Sequence, residues 1–336
     1  MEIYKSNSQN YSQELKAINT KYNTISFFRL ASILLFLASL FYYIKTSDLV
    51  FVISAIALFA GFVILMRIHS KLSFQKKIKT ALVAINENEI TYLDRKSIPF
   101  ENGAEFNDFH HPYAYDLDIF GEHSLFQNLN RTATFIGKKT LAKQVLALLP
   151  NDEIIKNHQA VEELSKKLNW RQEFLAFAKV GQDNEKFYKT LLQWSVFNSK
   201  PLSKSAVIIS YLFPALFVSC LIGYWLTSNM VFLTYSSFMF VINLAFLGNF
   251  TKRIMMEIAK SDNINTIISQ YSLLVQKIEN ENFQSEKLIA LQQKLNFQNQ
   301  KASVHLQHLA ELFSRMESIG NFVTALLFNG TFLFNI

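Results

Sequence analysis

The chain alternates long apolar runs with polar, helix-patterned stretches. Residues 25–44 form an apolar run with one charge, Arg29, near its start, where the side chain can snorkel to water. Lys45, Thr46, Ser47 and Asp48 make a short polar turn, and residues 49–66 form a second run. At about 1.5 Å per residue, a helix of some 20 residues covers the roughly 30 Å hydrocarbon layer, so the pair predicts a transmembrane hairpin. The first run is too long for a signal peptide, lacks a small-residue cleavage site and leads at once into a second span. The pattern recurs at residues 206–226, with Pro214 inside, and at 230–247, joined by Thr227, Ser228 and Asn229.

Polar residues with helical apolar spacing fill the rest. Tyr11, Leu15, Ile18 and Tyr22 mark an amphipathic lead-in. Residues 72–93 predict a helix leaving the membrane, with Leu82, Val83, Ile85 and Ile90 as inner positions, and residues 97–115 an irregular connector containing Pro99 and Pro112. Thr134 is placed to N-cap a helix running to Leu149, with Leu141, Val145, Leu146 and Leu149 as its stripe. Pro150 stops that helix. Asn151 is expected to cap the next, which has Asp152 and Glu153 in its first turn and Ile154, Ile155, Val161, Leu164 and Leu168 facing inward. Together these two predict a helical hairpin. Further helices are expected at 170–180, 183–197, 251–280, 286–295 and 302–319, and the interrupted apolar tail 319–336 as a buried helix rather than a fifth span. The expected fold class is all-α, with a lead-in (1–24), a first transmembrane hairpin (25–66), a helical core domain (67–205), a second hairpin (206–247) and long lever-like helices (248–336).

Composition agrees with this division. Half of the residues are hydrophobic and the mean hydropathy is +0.13, too apolar for an ordinary water-soluble domain. One cysteine, Cys220, lies in an apolar run, which excludes a disulfide framework and a cysteine metal site. The net charge is +7, but residues 80–205 are close to balanced. Arg67, Lys71, Lys76, Lys77 and Lys79 follow the first hairpin, and Lys200, Lys204, Lys252 and Arg253 flank the second. This is membrane-flank charge rather than a nucleic-acid face. By the positive-inside rule it puts both termini and the core domain in the cytoplasm of a multi-pass inner-membrane protein.

Several constellations could carry chemistry. Gly137, Lys138, Lys139 and Thr140 resemble the end of a phosphate loop, but the first glycine position holds Thr132 and no strand precedes it, which favours a plain helix start. His110, His111, Asp116, Asp118 and His123 crowd together, yet no pair shares a helix face, so a hydrogen-bonded connector is expected in place of a metal site. Phe100 and Glu101 lack the context of an aromatic wedge inserted between base steps. Asn243, Ser236 and Ser237 are read as interhelical hydrogen-bonding groups within the fourth apolar run.

One stretch also resembles a known family. Ser124 and Leu125, Leu129, Arg131, then Thr132 and Thr134 with Gly137, followed by Lys139, Leu141, Pro150 and Val161, are similar to the core, lever-helix domain of the MutS mismatch-repair family. The run His111–Gly121 and the residues Asn169, Trp170, Arg171 and Gln172 resemble a membrane-attached branch of it. Lys139 and Asn157 replace family arginines, His158 a glutamine and Phe135 a proline. The resemblance implies helical levers, a homodimer, mismatched DNA as a partner, and an ATPase domain that uses ATP and Mg²⁺. That domain is expected after Ile336 or from a partner, so no catalytic, cofactor or metal residue is assigned here, and the chain alone is not expected to be an enzyme. The lipid bilayer is the remaining partner. A four-span transporter or channel subunit and a structural membrane scaffold are the alternatives.

Overall fold

The computed structural model describes residues 1–181, 183–196, 204–258, 264–297 and 300–319. It is nearly all helical. The chain separates into two compact units, Met1–Gln182 with Phe283–Leu288, and Asp183–Asn282 with Ile289–Ile336.

The first unit is built on two 45-residue helices, α1 (Glu2–Thr46) and α2 (Leu49–Leu93), packed against each other. Each is about 68 Å long, more than twice the hydrocarbon thickness. The lead-in and the first apolar run are therefore one helix, not two elements: residues 2–46 contain no proline or glycine to break them. Ser47 turns the chain in a left-handed conformation, its N–H donating to Tyr43 O, and Asp48 accepts from Val50 N at 3.1 Å to cap α2. Tyr42 stacks on Phe51 beside this turn, and Ser39, deeper in the pair, donates to Phe51 O at 2.8 Å and meets the Ser54 hydroxyl. Further along, Phe36 meets Phe59 and Tyr22 meets His69.

The apolar parts of α1 and α2 turn their large side chains outward, with Ile44 79% and Leu49 72% exposed. A contiguous surface of this kind belongs against lipid or a partner, not water. Among the described residues, α1 and α2 are the two helices long and apolar enough to cross a membrane.

Past the apolar part, α2 carries Leu82 and Ile85 into a small core with Ala176 of α6 (Leu168–Val180) and Tyr11 of α1. Of the predicted inner positions on α2, Leu82 and Ile85 are fully buried and Val83 and Ile90 half-buried. The connector is more ordered than an irregular loop. A 3₁₀ turn at Ala104–Phe106 and a short helix α3 (Leu125–Leu129) enclose Phe126, which is 0% exposed, with Ala114, Ile119 and Phe120.

Helix α4 (Phe135–Leu146) is capped by Thr134 as expected, but ends three residues before Leu149. Leu149 precedes Pro150, which disfavours helical backbone there, and the Tyr113 hydroxyl donates to Leu146 O at the helix end. Leu141, Val145 and Leu146 pack on the Phe126 cluster, not on the next helix. The expected hairpin partner, α5 (Asn151–Ser165), starts after Pro150, with Asn151 already helical and making no side-chain cap. Its predicted inner face is largely outward: Ile154 is exposed, Ile155 is 57% and Val161 66% exposed. Polar bonds to residues 284–287 hold α5 instead. Glu163 accepts from Gln284 N and Ser285 N, Lys156 pairs with Glu286 at 3.2 Å and Lys287 with Glu153 at 2.7 Å. Helical spacing alone predicts the stripe; the bonds that tie α5 down are polar ones to a segment far along the chain.

In the second unit, α7 (Glu185–Val196) is capped by Asn184, which accepts from Phe187 N at 2.9 Å. α8 (Lys204–Thr227) and α9 (Met230–Ile258) pack together and carry apolar stretches over Tyr211–Thr227 and Met230–Ala245. The helix expected at 251–280 does not start at Thr251, which lies inside α9, running on to Ile258; α10 spans Ile264–Glu279, and residues 259–263 lie outside those described. After α11 (Glu286–Gln293), a two-residue strand pair not foreseen from the sequence, β1 (Asn296–Phe297) with β2 (Gln300–Lys301), leads into α12 (Ala302–Ile319). Phe187, Ile267, Ile268, Ala310 and Phe313 form the core of this unit, and Glu279 caps α12 by accepting from Ser303 N at 3.0 Å. The expected helix at 319–336 lies outside the described residues beyond Ile319.

Candidate functional site

Part of the motif gathers at the start of α4. Asn130, buried, makes an Asx turn there: its Oδ1 accepts from Thr132 N at 3.0 Å and from the Thr132 hydroxyl at 2.7 Å, while its Nδ2 donates to Glu101 O at 3.0 Å. Thr134 follows with extended backbone, and its Oγ1 accepts from Gly137 N at 3.1 Å. A Cβ at Gly137 would lie 2.8 Å from that oxygen, so glycine here keeps the cap intact. Ser124 does the same job for α3, accepting from Gln127 N at 3.2 Å.

Arg131 is the most densely engaged side chain of the group. Its Nε and Nη2 form a two-pronged bond to Glu89 of α2 at 2.6 and 3.2 Å, and Nη1 donates to Asn128 O at 2.8 Å. The guanidinium lies 3.4 Å from the Phe100 ring centre and 4.9 Å from that of Tyr92. Phe100 thus serves as a platform for Arg131, and Glu101 reaches Lys138 at 2.7 Å, as does Glu105. Neither residue stands free as a probing wedge. Burial works against both charges, but the hydrogen bonds from Lys138 leave Glu105 below the usual carboxylate range, and the two carboxylates hold Lys138 above the ordinary lysine range.

A cavity of about 310 Å³ opens beside these groups, lined among others by Glu89, Glu101, Arg131, Thr132 and Lys179. Burial pushes the Lys179 amine down, against the opposing pull of Glu101 and Glu89. The residue as a whole remains exposed.

The structure therefore brings Ser124, Arg131, Thr132, Thr134, Gly137 and Leu141 together and gives each a bond or packing partner. It leaves Lys139, Leu125, Leu129, Pro150 and Val161 on the outside; Lys139 leans over the Phe135 ring at 6.0 Å. Gly137, Lys138 and Thr140 lie in the first turns of α4, where Lys138 is spent on ion pairs. His110 is turned to solvent beside Asp108, His111 and His123 sit in turns, and Asp116 and Asp118 are exposed. No group of three His, Cys, Asp or Glu residues among the described residues could hold a metal ion. On α9, Ser236 and Ser237 donate to Leu233 O in their own helix, not across to another as expected.

Sequence reasoning missed Glu89, Tyr92, Asn130 and Lys179, and weighed Lys138 only as part of a phosphate loop. For Asn130 a signal existed, since an Asn two residues before a Thr at a loop end favours an Asx turn. Comparison of the chain with protein-family models, with curated proteins and with solved structures gives no match in any of the three.

Proposed function

We propose that the chain is a membrane-anchored helical lever module whose water-facing part is a MutS-like core. One observation carries this reading. α2 runs without a break from Leu49 to Leu93, apolar enough at one end to cross a bilayer and locked at the other to α6 and to Arg131. A helix of that length passes displacement along its axis with little loss, so movement of the membrane hairpin and of the core are one movement. In this reading α8 and α9 form a second transmembrane hairpin. Both termini and the core face the cytoplasm of an inner membrane. The module works as a homodimer with an ATPase domain supplied in cis or by a partner, and that domain alone holds ATP and Mg²⁺. The saturated groups around Arg131 support a joint, because each charge there except Lys179 already has a partner.

Mismatched DNA is the partner the family likeness suggests. Retention of duplex DNA by the detergent-solubilised chain over a salt series tests it: retention that falls steeply with salt supports DNA binding. Retention that is absent or insensitive to salt reduces the reading to a lever scaffold. Resistance of the chain to alkaline carbonate extraction, with release by detergent, tests the anchoring. A solute path is the second reading, favoured by Asn243. That side chain is 3% exposed on α9 and its amide finds no partner among the described residues. Solute flux in proteoliposomes that disappears in Asn243→Leu decides for it.

A further inference from the structure

Where α1 enters its apolar part, the α1–α2 hairpin carries a groove of about 630 Å³. Its rim is polar, with Asn23, Ser26 and Arg29, and its floor is apolar, with Leu30 and Ile33 of α1 and Phe62 of α2. Arg29 stands at the boundary between the two. Its Nε is fully enclosed yet finds no hydrogen-bond partner among the described residues, an expensive state for a guanidinium N–H. No ion pair to Arg29 occurs among the described residues either.

The electrostatics around the groove are one-sided. Between Lys16 and Lys79 the sequence holds Lys16, Lys21, Arg29, Arg67, Lys71, Lys76, Lys77 and Lys79 at this end of the hairpin. The single acid in that interval, Asp48, caps α2 at the opposite end. Glu14 reaches back to pair with Lys79, and Lys76 lies over the Tyr22 ring. Burial, and then the nearby Arg29 charge, hold His69 below its ordinary range, so these two basic groups face each other without an acid between them.

We infer that this groove is a binding site for one anionic phospholipid, with the phosphate on Arg29, Asn23 and Ser26 and an acyl chain along Leu30, Ile33 and Phe62. The occupant follows from the graded lining: a phosphate alone satisfies the rim and leaves the floor bare, and a hydrocarbon alone leaves the Arg29 charge without a counter-ion. Placement at the edge of the apolar run sets the headgroup at the depth where phosphates lie. The inference depends on α1 and α2 being the membrane anchor.

Native mass spectrometry of the full chain in detergent, with phosphatidylglycerol, phosphatidylcholine or inorganic phosphate added, tests it. Phosphatidylglycerol is expected to remain bound where phosphatidylcholine dissociates. Arg29→Gln is expected to weaken that retention about tenfold, the loss for one charge-assisted hydrogen bond. Lys77→Gln leaves it within about twofold, the change expected of an exposed flank charge. Ile33→Trp fills the floor without touching Arg29 and is expected to expel the lipid as well; it decides the matter if circular dichroism shows Arg29→Gln to be misfolded. Equal retention of the two lipids overturns the inference. So does unchanged retention in both variants, or displacement of phosphatidylglycerol by inorganic phosphate, which would mark a free-anion site. A chain that resists carbonate extraction but shows no lipid preference refutes the groove and leaves the anchoring intact.

Discussion

Asn86 of α2 and Gln172 of α6 exchange hydrogen bonds amide to amide inside the first unit. Gln172 Nε2 donates to Asn86 Oδ1 at 2.8 Å, and Asn86 Nδ2 donates to Gln172 Oε1 at 3.3 Å and to Leu82 O at 2.8 Å. Asn7 of α1 adds a bond to the same Gln172 oxygen at 3.4 Å, so three helices meet on one carboxamide. Asn86 is 0% and Gln172 4% exposed. A buried polar pair with every arm satisfied fixes the register of α2 on α6, since a slip of either helix leaves two amides unpaired among Leu82, Ile85 and Ala176.

Asn86→Leu is therefore expected to destabilise the first unit by about 2–3 kcal/mol, because it strands the Gln172 amide. Asn86→Leu with Gln172→Leu together should cost less than the sum of the two single changes, since the double variant leaves no amide unpaired. Thermal melting followed by circular dichroism in detergent measures all three. Additive losses would mean that the pair does not act as a unit.

The sequence displayed this core only in part. Leu82 and Ile85 were legible as inner positions of α2, and Asn86 sits one turn beyond Leu82 on the same face, but hydrophobic periodicity counts a polar residue as surface. The membrane-length helices and the Thr134 cap were legible because each depends on neighbours in sequence. The seating of α4 on the Phe126 cluster was not. Nothing local distinguishes Leu141 packing on α5 from Leu141 packing on a loop folded back from residues 103–126. The exposed Ile155 and Val161 had a correct helical spacing, and the ion pairs to residues 286 and 287 that turn α5 over lie some 130 residues away in the chain.

Gly103 is predicted to be intolerant of any side chain. Its φ is +67°, and a Cβ would lie 2.6 Å from a ring carbon of Phe126 and 3.1 Å from one of Phe120. Phe126 is enclosed on all sides and has no room to withdraw. Gly103→Ala combines left-handed strain with overpacking and should cost about 2–4 kcal/mol. A melting temperature for Gly103→Ala equal to that of the parent chain would contradict this account of the connector.

Thr134→Ala removes the Thr134 side-chain cap of α4 and leaves Gly137 N without its acceptor, an expected loss of about 1 kcal/mol. Thr134→Ser keeps the oxygen and should recover most of the stability. Amide hydrogen exchange at residues 136–138 is the direct readout: faster exchange in the alanine variant alone identifies the cap.

In the apolar part of the α1–α2 pair, Ser39 and Ser54 hold the two helices together close to the turn. Replacing Ser39 by Ala is expected to loosen the hairpin by about 0.6 kcal/mol, and by no more than about 1.7, because helices in lipid find substitute partners for a lost hydroxyl bond. Unfolding of the chain by dodecyl sulfate in mixed micelles gives the number, and a larger loss would show that the serines do more than pair.

Lys138 with Glu101 and Glu105 should make the α4 joint sensitive to pH at both extremes. Glu105 is held below its usual range in the folded chain, so its contribution is present above the unfolded carboxylate range and disappears as pH falls through the folded value. Lys138 is held above its usual range, so its contribution is full below the unfolded lysine range and is lost as pH rises through the folded value. Both act together across the neutral interval, and the half-exposed Glu105 keeps the effect small through solvent screening. Lys138→Met removes the partner that draws Glu105 down, and burial then raises it. Its stability curve should lose the alkaline decline and begin its acid decline at higher pH than the parent's. Urea titrations of the two chains across the pH range measure this, and superimposable curves would show that Lys138 makes no ion pair of consequence in solution.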